Sequence, residues 1–159
     1  PPRSTLFPYT TLFRSLFTSK EDQLKEIAMT SLYFIGDKVH LDQRIRYWQE
    51  RIQRDPFNEE NYSQLGLIFL RIRREKEGIQ TLKKAIQINP NYALAYYNLA
   101  CGYACIGQID QALDAIENAV EKGYDDVGWM KKDGDLRNIH STQRFKNLVK
   151  KLEDRLGGK

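Results

Sequence analysis

The feature that most constrains the fold of this chain is an internal repeat with a period of 34 residues. Pro56 and Pro90 are separated by that period, and the segments that follow them align without gaps. Aromatic residues align with aromatic, small with small and aliphatic with aliphatic residues. The aligned pairs are Tyr62 with Tyr96, Leu65 with Leu99, Gly66 with Ala100, Phe69 with Tyr103, Ile72 with Ile106, Ile79 with Leu113, Leu82 with Ile116, Ala85 with Ala119, and Ile86 with Val120. Chance does not supply so many matches in one register, so the pattern indicates stacked copies of one structural unit.

The spacing within each copy predicts two antiparallel helices. In the second copy, Ala93–Ile106 carries apolar residues at helical spacing, and Gly107 is expected to end this helix. Asp110 is expected to cap the next helix, whose apolar stripe is Ala112, Leu113, Ile116, Ala119 and Val120. A single helical hairpin cannot bury such stripes, so neighbouring copies must stack. The predicted fold class is all-α, a short α-solenoid of antiparallel helix pairs with capping helices.

This pattern resembles the tetratricopeptide repeat (TPR), a helix–turn–helix unit of the same length. The resemblance covers 57–124, as one repeat at 57–90 and a second at 91–124, and it implies a TPR superhelix. Three residues depart from the family pattern: Arg73 stands where the second repeat has Gly107, Gly78 replaces alanine, and Tyr124 replaces the closing proline. We expect Gly78 to cost about 1 kcal/mol of helix propensity.

Both flanks predict further helices. Residues 16–56 are interpreted as N-terminal helices of a degenerate repeat, because Leu41, Ile45, Trp48 and Ile52 keep helical spacing up to Pro56. Arg44 and Arg51 occupy the small-residue sites of that repeat, so tight pairing with a preceding helix is not expected. Residues 125–159 predict a closing segment and a C-terminal capping helix that bears Phe145, Leu148, Val149 and Leu152. This tail resembles the segment that ends many bacterial TPR arrays, which often follow an effector domain.

The first residues of the chain fit neither pattern. Thr5–Ser15 repeats Thr-Leu-Phe and is similar to the in-frame translation of a common DNA-sequencing adapter, so we interpret 1–15 as a disordered, non-native leader. The alternative is a natural disordered leader. Under the adapter interpretation Leu16 lies near the first genuine residue and upstream sequence is missing.

Composition excludes several functional classes. The formal net charge is +4, and it falls to +2 without Arg3 and Arg14, which is weak for a nucleic-acid-binding protein. No apolar run approaches the roughly 20 residues that span a membrane. The two cysteines, Cys101 and Cys105, lie within a helical pattern and fit a reducing compartment, so a cytoplasmic location is expected.

The sequence contains no recognisable catalytic or metal-binding motif. Cys101 and Cys105 are four residues apart, but His40 and His140 do not stand at metal-ligand spacing from them. Asp125, Asp126, Asp133 and Asp135 lack the spacing of a calcium loop and are interpreted as caps and turn residues. We therefore expect no enzyme activity, no metal and no cofactor.

The TPR resemblance implies a binding groove formed by the first helix of each repeat, and stacking is expected to leave its residues free. The groove positions are Glu60, Ser63, Leu67, Leu70 and Arg71 in the first repeat, and Leu94, Tyr97, Cys101, Ala104 and Cys105 in the second. Ser63 and Leu67 stand where chaperone-binding members hold a terminal carboxylate, which argues against that mode. Asn98 fits such a clamp but is also common at its position. An apolar groove with an arginine at one end suits a helix or strand with hydrophobic anchors.

Two functions stay open on this basis. One is a non-catalytic module that binds a peptide or a partner protein in the groove. The other is a structural or self-associating C-terminal cap of a larger effector protein, and the oligomeric state is left open between them. The basic run Arg71, Arg73, Arg74 and Lys76 is a solvated helix end, a site for an acidic peptide or, as the weaker alternative, a site for nucleic-acid phosphates.

Overall fold

A computed structural model describes residues 38–157 of the chain. The chain divides into two compact units, Pro1–Arg44 and Ile45–Lys159. The predictions for the leader at 1–15 and for residues 16–37 lie outside the described residues. Of the first unit only the start of one helix is described, so the remainder of this section concerns the second unit.

The described chain is built from helices, and residues 38–157 contain no strand. The long helices are α1 (Lys38–Arg54), α2 (Glu59–Arg71), α3 (Glu75–Ile88), α4 (Ala93–Cys105) and α5 (Ile109–Glu121). They are followed by α6 (Val127–Met130), a 3₁₀ turn (Gly134–Leu136), α7 (Arg137–His140) and α8 (Gln143–Gly157). Helices α2 and α3 pack as one pair and α4 and α5 as a second, and α3 packs against α4. The predicted all-α solenoid of helix pairs is confirmed.

The turns that end α2 and α4 share one geometry although only one of them contains glycine. Arg73 has a φ of 63°, beside 76° for Gly107. The Arg73 N–H donates to the Leu70 carbonyl at 3.1 Å, and the Gly107 N–H donates to the Ala104 carbonyl at 3.0 Å. These bonds are typical of a helix that ends on a left-handed residue. The first turn is thus made by an arginine in a conformation that favours glycine.

The start of α5 differs from the prediction. Gln108 precedes the helix and makes no side-chain capping bond, while Asp110 lies inside the first turn. Asp110 is therefore not the cap. Its carboxylate still lies at the helix end where negative charge is favourable.

Gly78 provides room for a side chain of the neighbouring helix. A Cβ added at Gly78 would lie 2.6 Å from Cδ2 of Leu70, and a Cβ added at Gly102 would lie 3.1 Å from the same atom. In the second repeat the positions equivalent to Leu70 and Gly78 are Ala104 and Ala112. The first repeat therefore packs a large residue against glycine where the second packs alanine against alanine.

Helix α1 contacts α2 through large side chains. Trp48 is buried in a cluster with Leu65, Ile68 and Phe69. By the repeat period, Trp48 and Arg51 correspond to Leu82 and Ala85 of α3. Helix α1 does not approach α2 as closely as α3 approaches α4, which is expected when bulky residues replace small ones at a helix contact.

The closing segment and the helix after it complete the core. Met130, Leu136 and Ile139 are fully buried, and α8 buries Phe145, Val149 and Leu152 while Leu148 is half-buried. Two of the aspartates predicted as caps act as such: Asp126 accepts from the Trp129 N–H and Asp133 from the Asp135 N–H. The guanidinium of Arg144 on α8 binds Asp114 and Glu117 of α5, each at 2.6 Å.

Candidate partner-binding surface

The predicted groove residues lie on α2 and α4, but the structure leaves few of them accessible. Leu67, Leu94 and Cys105 are half-buried, and Arg71 is exposed. The other groove positions are buried: Glu60, Ser63, Leu70, Tyr97, Cys101 and Ala104. The expectation that stacking leaves all ten positions free is therefore wrong for these six.

The closing segment covers the α4 part of the groove, which is the physical reason for much of this burial. The Tyr97 hydroxyl donates to Oδ2 of Asp133 at 2.6 Å. The Tyr97 ring stacks on Tyr124, with centroids 4.2 Å apart and planes 12° from parallel. The Asn138 side-chain amide donates to the Ala104 carbonyl at 3.1 Å. An intramolecular segment thus occupies the surface that the family analogy assigns to a peptide.

Burial under this segment suppresses acid–base chemistry at Cys101. Its sulfur lies 3.8 Å from Oδ2 of Asp133. Burial raises the pKa of the Cys101 thiol, and the nearby carboxylates of Asp133 and Asp135 raise it further. A thiol held protonated in this way is a poor nucleophile and a poor metal ligand.

The contact between the closing segment and α4 is part of the core. Fully burying one aliphatic side chain contributes roughly 1.5–3 kcal/mol. Met130, Leu136 and Ile139 are all completely buried, and a domain of this kind has about 5–15 kcal/mol of stability in total. Displacing the closing segment would therefore expose enough apolar surface to threaten the fold. The α4 part of the groove is closed in the native state.

Asn98 connects the two repeats within the predicted groove. Its side-chain amide donates to Oγ of Ser63 at 3.3 Å, and both residues are buried. Asn98 therefore links α4 to α2, and the structure does not present it as part of a ligand clamp.

Apart from Leu94 at the start of α4, the accessible groove positions lie towards the C-terminal ends of α2 and α4. We call these positions, Leu67, Arg71 and Cys105, the α2 rim. Asp135 of the closing segment stands beside it. Partial burial raises the pKa of Asp135, and Asp133 raises it further, while Arg71 and Arg73 act in the opposite direction. The rim therefore combines an aliphatic side chain with a cation whose charge is partly balanced.

Two residues of the basic run, Arg73 and Arg74, pair with carboxylates at the start of α3. Arg74 donates to the Glu77 carboxylate through Nε at 2.6 Å, and its guanidinium lies 4.7 Å from the centroid of the Phe69 ring. Nε of Arg73 lies 3.7 Å from the Glu75 carboxylate. For Arg73 and Arg74 these contacts favour the interpretation as a solvated helix end.

Sequence reasoning missed Tyr124, Asp133 and Asn138 as residues that shape this surface. The usable signal was the apolar spacing of Leu136 and Ile139 after a Gly-Asp turn. A segment too short to form its own stripe, yet carrying such residues, has to bury them against existing helices. The surface of α4 was the available partner.

The described part of the chain offers neither a metal site nor a membrane span. No three His, Cys, Asp or Glu side chains within residues 38–157 are placed to hold a metal ion together. In the same range, no helix has the length and apolar character required to cross a membrane.

Comparison with known proteins supports the repeat architecture. A family model described as tetratricopeptide repeat matches residues 81–114. A chloroplastic protein of Arabidopsis thaliana is 27% identical over 92 residues, which is 56% of this chain and 28% of the plant protein. The TPR repeat-containing protein YpiA of Bacillus subtilis is 25% identical over 138 residues, which is 79% of this chain and 33% of YpiA. A peroxisomal targeting signal receptor of Candida glabrata is 26% identical over 95 residues, which is 60% of this chain and 16% of the receptor. The chain thus spans a third or less of the length of these curated relatives.

Solved structures show the same fold. The crystal structure of MamA matches with a TM-score of 0.62 and 20% identity, and the match covers 95% of this chain and 88% of MamA. The TPR2B domain of yeast Sti1, determined as a complex with pHsp70, matches with a TM-score of 0.57 and 20% identity. That match covers 86% of this chain and 99% of the Sti1 domain.

Proposed function

We propose that this chain, which has the tetratricopeptide-repeat architecture, is a protein-interaction module that binds a peptide segment of a partner at the α2 rim. Proteins of the same architecture support the general role, since the Sti1 domain was determined as a complex with pHsp70 and another relative is a targeting signal receptor. The position on the α2 rim is our own proposal.

The observation that carries the proposal is the way the closing segment binds α4. Asp133 and the 3₁₀ turn that follows it, Gly134–Leu136, place a carboxylate and a buried leucine against the helix that carries Cys101 and Cys105. By the repeat period, Leu67 and Arg71 of α2 correspond to these two cysteines. The internal contact therefore supports a similar mode on α2, with an aliphatic contact at Leu67 and a cation at Arg71.

The chemistry of the rim favours a short segment with a leucine-like anchor next to a carboxylate. A guanidinium has five N–H donors, so Arg71 can interact with Asp135 and still bind a further carboxylate. The half-buried Leu67 offers apolar surface beside it.

The test uses the full chain and three fluorescein-labelled octapeptides that share a leucine anchor and carry aspartate, asparagine or lysine next to it. Fluorescence anisotropy should show that the aspartate peptide binds best. Leu67→Glu and Arg71→Glu should each weaken it about tenfold or more. Lys76→Glu introduces the same charge change as Arg71→Glu on the exposed start of α3 and is the matched control.

Two results would overturn the proposal. The first is equal binding of the three peptides with no effect of Leu67→Glu. The second is a concentration-dependent dimer in light scattering that Leu67→Glu dissociates, which would favour the self-associating cap instead.

A further inference from the structure

A second accessible groove lies on the opposite side of α2, between α1 and α3. It has a volume of about 470 Å³. Its apolar lining consists of the half-buried Ile52 and Tyr62 and the buried Leu65, and its polar edge includes Lys83, Lys84 and Gln87 of α3. We call it the lysine groove. It shares no residue with the α2 rim.

The groove follows from the packing of α1. Trp48 and Arg51 replace the small or medium residues that bring a second helix close to the next first helix, and α1 consequently stands further from α2. The gap that remains beside Leu65 is large enough for several side chains, since ligand pockets in proteins range over about 300–1,000 Å³.

The polar edge of the groove has one sign of charge. The part of α3 from Gly78 to Ile88 contains Lys83 and Lys84 and no carboxylate. Neither ammonium pairs with a carboxylate among residues 38–157. The Lys83 ammonium lies 5.7 Å from the centroid of the Tyr103 ring on α4, and both lysine side chains are exposed.

The corresponding positions of α5 show that such residues can bind a helix, although that helix, α8, packs on α5, α6 and α7. Gln80, Lys83 and Gln87 correspond by the repeat period to Asp114, Glu117 and Glu121. Asp114 and Glu117 bind Arg144 of α8, an amphipathic helix that packs on α5. The outer face of α5 thus receives a helix of opposite charge. On α3 the same three positions hold one lysine and two glutamines, so three negative charges are replaced by a single positive one.

We infer that the lysine groove binds an amphipathic helix of a partner protein, with aliphatic residues against Ile52, Tyr62 and Leu65 and carboxylates facing Lys83 and Lys84. The apolar residues supply the area and the lysines select the sign of the charge. This site is additional to the peptide site of the α2 rim and does not depend on it.

The test compares two helical peptides that have the same leucine face and carry either glutamate or lysine on the polar face. Calorimetry or anisotropy with the full chain should show that only the glutamate peptide binds, more weakly as salt increases. The double variant Lys83→Glu with Lys84→Glu should weaken that binding about tenfold or more and admit the lysine peptide. Lys150→Glu with Lys151→Glu, on the exposed face of α8, makes the same change in net charge and should leave binding intact.

A second variant tests the lysine groove itself. Thr81→Trp would place a large side chain in the groove at its half-buried edge, and it should block the glutamate peptide while circular dichroism remains unchanged. The inference fails if both peptides bind alike or if the Lys83/Lys84 variant binds normally. It also fails if Arg71→Glu, and not the Lys83/Lys84 variant, abolishes binding. A dimer that dissociates only in the Lys83/Lys84 variant would replace the partner helix with a second copy of the chain.

Discussion

Arg73 adopts a left-handed backbone conformation, with a φ of 63°. A side chain in this conformation costs roughly 1–2 kcal/mol relative to glycine. The contact of Arg73 with Glu75 is exposed and long, so little stability is lost with it. We therefore expect Arg73→Gly to raise the free energy of unfolding by about 1 kcal/mol.

Urea unfolding followed by circular dichroism would measure this gain. The reciprocal control is Gly107→Ala, which should lower the stability by a similar amount because Gly107 has a φ of 76°. A destabilised Arg73→Gly variant would show that the arginine side chain makes a contribution larger than its backbone cost.

Tyr97 should contribute stability through its hydroxyl group as well as its ring. Tyr97→Phe keeps the stacking on Tyr124 and removes the 2.6 Å hydrogen bond to Asp133. Hydrogen bonds to charged groups contribute about 1.5–3 kcal/mol, and we expect a loss of that order in thermal or urea unfolding. Tyr96→Phe, at a half-buried position of the same helix, should change the stability by less than about 0.5 kcal/mol.

The same variant should change the response to alkaline pH. Burial raises the pKa of Tyr97 above its usual value, and Cys101 and Asp133 raise it further. The folded state therefore holds the phenol proton more tightly than the unfolded chain does. The resulting stabilisation is present below the ordinary tyrosine pKa of about 10 and is lost as the pH rises beyond it. Tyr97→Phe should show a smaller loss of stability above that pH, and an unchanged profile would contradict the assignment.

At this scale the sequence identified which helix face Tyr97 and Cys101 occupy, but not what covers that face. Their helix was predictable because apolar residues recur three and four positions apart along it. The covering residue, Asp133, lies 36 positions from Tyr97, and no periodicity links the two. The family resemblance predicted an open groove because it transferred the groove positions to this chain without the residues that cover them here.

Helices α2 and α3 depend on a matched pair of residues. Gly78→Ala alone would bring a methyl group within 2.6 Å of Leu70 and should be destabilising. Leu70→Ala alone would leave a cavity and cost about 2–5 kcal/mol. The double variant recreates the combination Ala104 with Ala112, so its loss should be smaller than the sum by about 0.5–3 kcal/mol.

A double-mutant cycle by urea unfolding measures this coupling. The control is a second cycle with Leu82→Ala and Ile116→Ala, two buried residues on the different helices α3 and α5. It measures the coupling between two large-to-small changes that involve no glycine. Strict additivity of the Leu70 and Gly78 variants would show that the contact is not the reason for the glycine.

The long helices were predictable because their signals are local. The segment Ala93–Ile106 was expected as a helix, and α4 spans Ala93–Cys105. The short elements α6, α7 and the 3₁₀ turn were not predicted, since they contain only three or four residues each. Their conformation depends on burial against α4, α5 and α8, and such long-range contacts leave no period in the sequence.

For the whole molecule, α8 is expected to be required for a cooperative fold. A stop codon at Ser141 would remove Phe145, Val149 and Leu152, all of which are buried. Each contributes roughly 1.5–3 kcal/mol, and their sum is comparable to the total stability of about 5–15 kcal/mol. The truncated chain should aggregate or unfold without cooperativity.

Size exclusion and thermal unfolding would detect this outcome. A stop codon at Leu156 is the control, because that leucine is exposed and its removal should leave a normal monomer or native oligomer. A cooperative transition in the shorter protein would mean that α8 is dispensable and that the repeats are stable without it.

The packing of Leu70 also restricts how the repeat array could be lengthened by duplication of a repeat. Its side chain occupies space that Gly78 leaves in its own repeat and that Gly102 leaves in the next. The residue equivalent to Gly102 in the first repeat is Ile68. A tandem duplication of 57–90 would therefore place an isoleucine where Leu70 now meets a glycine. The isoleucine side chain would clash with Leu70 at the new interface between the two copies. Lengthening by that route would need a compensating substitution at the same time, because the first repeat does not fit against a copy of itself.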